Sequence, residues 1–129
     1  MNKIKLLIAE DDESAGVLYD KGLNNDMFEK QYAMNEEEAL NIYYSWQPDV
    51  IVLDIMMPVM TGYSVLQEIR ENAGDKKTTI IMSSSMSTKD DMRDCSKLGI
   101  QEYITRPFKY KEIGNAIIHC FQNAKPLSV

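Results

Sequence analysis

Short apolar runs alternate along the chain with longer stretches that carry apolar residues on one helical face. Ile4-Lys5-Leu6-Leu7-Ile8-Ala9 is too short for a helix and is stopped by acids, so it predicts a strand. Residues 13–24 follow as a helix, with Ala15, Leu18, Tyr19 and Leu23 expected on one face. Phe28 to Met34 reads as a more polar strand, suited to a sheet edge. Asn35 with Glu38 three residues on is a capping-box-like pair and opens a helix that runs to about Trp46. Beyond Pro48, Val50 to Leu53 is continuously apolar, as a strand covered on both faces must be. Pro58 and Gly62 punctuate a loop, and a helix with Val65, Leu66 and Ile69 breaks near Gly74. Thr79 to Met82 predicts a fourth strand, and residues 87–98 a helix closed by Gly99. Tyr103 to Thr105 predicts a fifth strand. Ile113, Ala116, Ile117, Cys120 and Phe121 mark a last helix.

Five strand–helix units imply an α/β fold, a (βα)5 doubly wound five-stranded parallel sheet with helices on both faces. A polar second strand at the edge fits the flavodoxin-like order 2-1-3-4-5. The 129 residues suffice for one domain, assigned to residues 1–125, with 126–129 as a short tail. There is no internal repeat, linker or low-complexity tract.

Composition narrows the functional classes. Hydrophobic residues make up 44% and charged residues 26%, which is ordinary for a globular protein. The net charge of −6 gives no electrostatic reason to expect nucleic-acid binding. No apolar run approaches the length of a membrane span, and the opening residues do not read as a signal peptide, so a cytoplasmic location is expected. Cys95 and Cys120 lack metal-site spacing and read as reduced structural residues. His119, the single histidine, falls in the last helix, remote from the acids, and reads as structural or surface. The nine methionines are scattered, as core fillers are.

In a sheet of this kind ligands bind at the carboxyl ends of the strands, near the reversal of strand order. Strand one ends there in Glu10, Asp11 and Asp12, strand three in Asp54, strand four in Ser83, Ser84 and Ser85, and strand five in Thr105, Arg106 and Pro107. Strands one and three are neighbours, so their carboxylates converge and repel. A magnesium ion, with its preference for oxygen ligands and retained waters, would relieve this. A hydroxyl and a cation on the flanking strands would hold the oxygens of a phosphoryl group. The set reads as a phosphoryl-acceptor site, with Asp54 as nucleophile. A nucleotide site is disfavoured, because the first turn is acidic where phosphate cradles need glycine and the chain has no GxGxxG or P-loop pattern. A small metal-dependent phosphatase is disfavoured too, for want of a second base or nucleophile.

At these residues the chain resembles the receiver domains of bacterial response regulators, from about Lys3 to Phe121. LLIAEDDE resembles the first strand with its acidic pair, VIVLDIMMPVMTG the phosphoacceptor strand and loop, TIIMSSS the fourth strand with its hydroxyl, and LGIQEYITRPF the fifth-strand segment. The resemblance implies magnesium (or manganese) on Asp11, Asp54 and the Met56 backbone carbonyl, with Glu10 acting mostly through water. Asp12 is the neighbouring position, with one residue of ambiguity. It implies Ser84, rather than Ser83, as switch hydroxyl, Tyr103 as switch aromatic, and a cis Arg106–Pro107 bond. It also implies phosphorelay signalling: phosphate from a sensor histidine kinase or histidine phosphotransfer protein, and a downstream protein or output domain bound through the α4–β5–α5 face. Homodimerisation through that face stays open.

The chain departs from the family at Arg106, where a lysine is usual. Arginine is a planar fork and lysine a compact point charge. Arg106 would bind a phosphoryl oxygen, or pair with Asp54 and make the domain a phosphorylation-independent binding module. Met56 and Met86 would flank the phosphoryl group and offer nothing to position an attacking water, so slow autodephosphorylation is expected. The domain is not expected to be an enzyme beyond its own phosphorylation and dephosphorylation.

Overall fold

The computed structural model describes residues 3–10, 13–54, 62–84, 89–105 and 109–123, the side chains at 13, 15, 84, 89–91, 105 and 110 excepted. The elements are β1 (Ile4–Ala9), α1 (Glu13–Gly22), β2 (Phe28–Ala33), α2 (Glu36–Trp46), β3 (Val50–Asp54), α3 (Gly62–Gln67), a π-helical turn (Glu68–Asn72), β4 (Thr79–Ser84), α4 (Lys89–Leu98), β5 (Glu102–Thr105) and α5 (Tyr110–Gln122). The five strands form one parallel sheet in the order β2-β1-β3-β4-β5. This is the doubly wound, flavodoxin-like arrangement expected from the alternation.

The sheet separates two apolar layers. On one face Leu7, Ala9, Ile51, Leu53, Ile80 and Met82 pack with α2, α3 and α4 through Ala39, Tyr43, Val65, Leu66, Ile69 and Cys95. On the other, Leu6, Ile8, Val50, Val52 and Ile81 pack with α1 and α5 through Tyr19, Leu23, Ile113, Ile117 and Cys120. Strand side chains alternate between faces, so an apolar run is what a two-sided layer requires. β3 is buried throughout, whereas β2, at the edge, alternates buried ends with exposed Glu29 and Tyr32. Both cysteines are buried thiols outside any disulfide, and His119 is exposed. Leu18 departs from expectation. It is 41% exposed, because Tyr19 of α1 and Leu23 just after it supply the side that meets the sheet.

The start of α2 follows its sequence signal with one change. Asn35 Oδ1 accepts from the Glu38 amide at 2.9 Å, but Glu38 Oε1 accepts from the Met34 amide at 2.8 Å, one residue before the cap. Glu36, Glu37 and Glu38 all lie in the first turn, where carboxylates meet the positive end of the helix dipole. Gly99 closes α4 with φ of 107°, a left-handed geometry that glycine adopts without a Cβ penalty.

The pole at the amino ends of the strands is held by polar contacts. Arg70, in the π-helical turn, is buried, at 5% exposure. Its Nε donates to the Gly99 carbonyl at 2.8 Å, Nη1 to the Asp75 carbonyl at 2.9 Å, and Nη2 to the Thr78 carbonyl at 2.9 Å and Gln101 Oε1 at 3.2 Å. Asp75 accepts from the Tyr43 hydroxyl at 2.6 Å, from the Thr78 hydroxyl, and from the amides of Lys77 and Thr78. Burial pushes the Asp75 carboxyl up, but these hydrogen bonds outweigh it and bring it down to about 2.

Candidate functional site

The site at the opposite pole is set by register. Ala9 lies beside Leu53 in the β1–β3 ladder. One residue further along each chain come Glu10 and Asp54, so two carboxylates stand at equivalent positions on adjacent central strands. Both are 6% exposed. The Glu10 amide donates to the Ala33 carbonyl at 2.9 Å, which ties the end of β1 to β2 and fixes where Glu10 leaves the sheet. Asp54 is the last residue of β3 and pairs with Ser83 of β4.

Alternation places Asp54 on the α1/α5 side of the sheet, opposite to Leu53. Ser83 shares that side. It is 1% exposed, and the hydroxyl of the fully buried Tyr19 donates to its Oγ at 3.5 Å. A buried hydroxyl needs a partner, and Tyr19 of α1 reaches across the layer to supply one. Sequence reasoning set Ser83 aside and placed Tyr19 in the core without a polar role. Nothing in the spacing signals the pair, because 64 residues separate its members.

Ser84 ends β4 and pairs with Thr105 of β5 in the backbone ladder. Tyr103 pairs with Met82, is half-buried, and packs against the apolar layer formed with α2, α3 and α4. The strand-end hydroxyl position and the aromatic position are thus on adjoining strands. Asp11, Asp12, Met56, Met86 and the Arg106–Pro107 bond lie outside the described residues.

Two buried carboxylates side by side are costly unless a positive charge or protons compensate them. The donor set, oxygen without sulfur or imidazole, fits a hard divalent cation such as magnesium. Glu10 and Asp54 are the described residues that would hold it. Among the described residues no three ligating side chains come together. Chemically, the arrangement offers two neighbouring carboxylates on rigid central strands, both largely shielded from solvent.

Comparison with known proteins agrees with this fold. The model of the response regulator receiver domain family matches residues 6–118. The "Probable transcriptional regulator ycf27" of Guillardia theta is 37% identical over 111 residues, 86% of this chain and 42% of that protein. The transcriptional regulatory protein RprY of Bacteroides fragilis (strain YCH46) is 30% identical over 111 residues, 86% of this chain and 46% of that protein. The chain therefore spans less than half the length of these curated relatives. Among solved structures, the non-phosphorylated HemR receiver domain of Leptospira biflexa has a TM-score of 0.84 at 25% identity, covering 98% of this chain and all of that one. The receiver domain of the Francisella response regulator 1452 has a TM-score of 0.82 at 26% identity, covering 95% of this chain and all of that one. A doubly wound sheet with acids at its switch point is the architecture these receiver domains share. The chain belongs to the response regulator receiver domain family of two-component systems.

Proposed function

We propose that this domain is a phosphoacceptor switch in a phosphorelay, charged on Asp54 by a sensor histidine kinase or a histidine phosphotransfer protein. The observation that supports this most directly is the pairing of Glu10 and Asp54, both buried, at matched ends of β1 and β3. An Asp54 carboxylate oxygen attacks the phosphorus and a P–O bond forms, while the P–N bond of the donor phosphohistidine breaks with its electron pair left on the ring nitrogen, so that a donor ring protonated on its other nitrogen departs as neutral imidazole. A magnesium ion held by Glu10, Asp54, Asp11 and the Met56 carbonyl would neutralise the charge that accumulates on the phosphoryl oxygens. Asp54 is oriented by its place in the β3–β4 ladder, and burial keeps competing water away from it. Ser84 and Arg106 would each hold a phosphoryl oxygen from the flanking strands.

The phosphoryl contacts differ between the two states, which is what a switch requires. Ser84 moving towards the phosphoryl group and Tyr103 turning inward would carry the change to the face made by α4, β5 and α5. A downstream protein or output domain would read that face. Among the described residues no helix is long and apolar enough to cross a membrane, and we place the domain in the cytoplasm.

The test is intact-mass analysis after incubation with acetyl phosphate and magnesium. The expected result is a phosphate-sized gain that needs magnesium and is absent in Asp54→Asn. No gain in the parent but a gain in Arg106→Lys would overturn the switch reading and make the domain a binding module held unswitched by Arg106.

A further inference from the structure

Arg70 lies about as far from the acids as the sheet allows, and neither the proposed chemistry nor the apolar layers use its charge. Its surroundings are unusual for a buried guanidinium. Three of its four acceptors are backbone carbonyls, and they come from two segments: Asp75 and Thr78 in the loop between the π-helical turn and β4, and Gly99 just after α4. The fourth, Gln101 Oε1, also accepts from the Ile80 amide at 2.7 Å, and the Gln101 amide donates to the Ile80 carbonyl at 2.9 Å. Through one side chain, the end of α4 and the approach to β5 are tied to the start of β4. The π-helical turn makes this reach available. The Ala73 amide donates five residues back to Glu68 at 2.9 Å, and the widened turn brings both Ile69 and Arg70 inward on consecutive positions.

We propose that Arg70 is a positioning residue for the signalling face, the fixed end about which α4 and β5 respond. The part of this that concerns switching rests on the phosphoacceptor reading above. α4 has two unlike ends. Its amino end follows the loop after Ser84, where the phosphoryl group would act, and its carboxyl end is clamped at Gly99 by a charged, planar donor. A helix held at one end and pushed at the other tilts about the held end. Arginine is suited to this because its rigid fork carries donors on three separated nitrogens and reaches acceptors spread around it, whereas all of lysine's donors sit on one nitrogen.

The test is hydrogen exchange on the full chain, parent against Arg70→Met and Arg70→Lys, with intact mass measured on the same samples. Methionine keeps the bulk of the stem and removes every donor. In unloaded protein, exchange across residues 95–102 is expected to quicken by about tenfold or more in Arg70→Met, since hydrogen bonds to charged groups are lost. Arg70→Lys should fall between, and the β1 and β3 amides should keep the parent's protection. Equal acceleration in β1 and β3 would show general destabilisation and overturn the proposal, as would unchanged exchange at residues 95–102. With acetyl phosphate and magnesium, the parent's change in protection should stop short of Cys95, and in Arg70→Met it should run on through Gln101. A change in the parent that extends equally over both ends of α4 overturns the fixed-end role. A parent that gains no phosphate mass fails the phosphoacceptor reading, while the unloaded comparison still decides whether Arg70 positions the face.

Discussion

Replacing Asp54 by asparagine should stabilise the metal-free domain, and the size of the effect follows from the sheet. Glu10 and Asp54 occupy matched positions on adjacent strands, both at 6% exposure. Neighbouring strands run about 4.8 Å apart. Two unit charges at that spacing, in an effective dielectric of about 20, repel by roughly 3.5 kcal/mol. The carboxylates stand at the rim rather than mid-sheet, both make further contacts within the chain that offset part of this repulsion, and the asparagine amide retains some polar cost, so a gain of about 1–2 kcal/mol is expected. For a domain of this size that is roughly 4–8 °C in midpoint. Thermal unfolding of parent and Asp54→Asn in a chelator measures it. Adding magnesium should then reverse the order. The parent gains about 2.7 kcal/mol at a hundred times the dissociation constant, more than that difference, and the variant gains much less. A variant less stable than the parent in chelator would refute the reasoning, because it would mean that a protein cation, not a neighbouring carboxylate, dominates the surroundings of Asp54.

Three further outcomes are expected. Gly114→Ala should destabilise by about 1 kcal/mol despite the better helix propensity of alanine, because the added Cβ would meet the Gly22 carbonyl oxygen at 3.0 Å; chemical denaturation measures this, and a gain in stability would show that α1 yields easily. Asp75 is held at about 2, below its ordinary 3.8, so its contribution is fully present above about pH 4 and is lost as pH falls towards 2. The full difference corresponds to about 2.5 kcal/mol, which solvent screening of this half-exposed group reduces to ~1 kcal/mol; Asp75→Asn should flatten the acid limb of the stability curve by that amount, and an unaltered limb counts against the hydrogen bonds described. The phosphorylated domain should lose phosphate slowly on its own, since Met56 and Met86 cannot orient water, and a rapid decay in intact mass contradicts that.

The order of the sheet was legible because β3 and β1 are buried on both faces and β2 is not, and two-sided burial leaves a continuous apolar run that one-sided burial interrupts. Glu10 and Asp54 were legible for the same reason: an acid that stops an apolar run marks where a strand leaves the core. The polar pole was not legible. Arg70 falls next to Ile69 in what reads as an ordinary helix, and only the π-helical turn brings both inward. Its acceptors are backbone carbonyls, which carry no sequence signature. Tyr19 escaped notice as a polar group because its aromatic body satisfies the apolar pattern, while its hydroxyl serves Ser83 from another part of the chain. Leu18 misled because a heptad-like face does not say how wide the buried stripe is, and Tyr19 and Leu23 suffice to cover it.

The interior position of β1 has a consequence for synthesis. β1 needs β3 as well as β2, and its register partners begin only at Val50. While the ribosome adds the intervening residues, at about 5–20 per second, Leu6, Leu7 and Ile8 have the edge strand and its two helices for company but no central neighbour. For those seconds the nascent chain presents one bare flank of an apolar strand. A chaperone that grips short apolar segments would find its window there, and the window would close when β3 clears the exit tunnel.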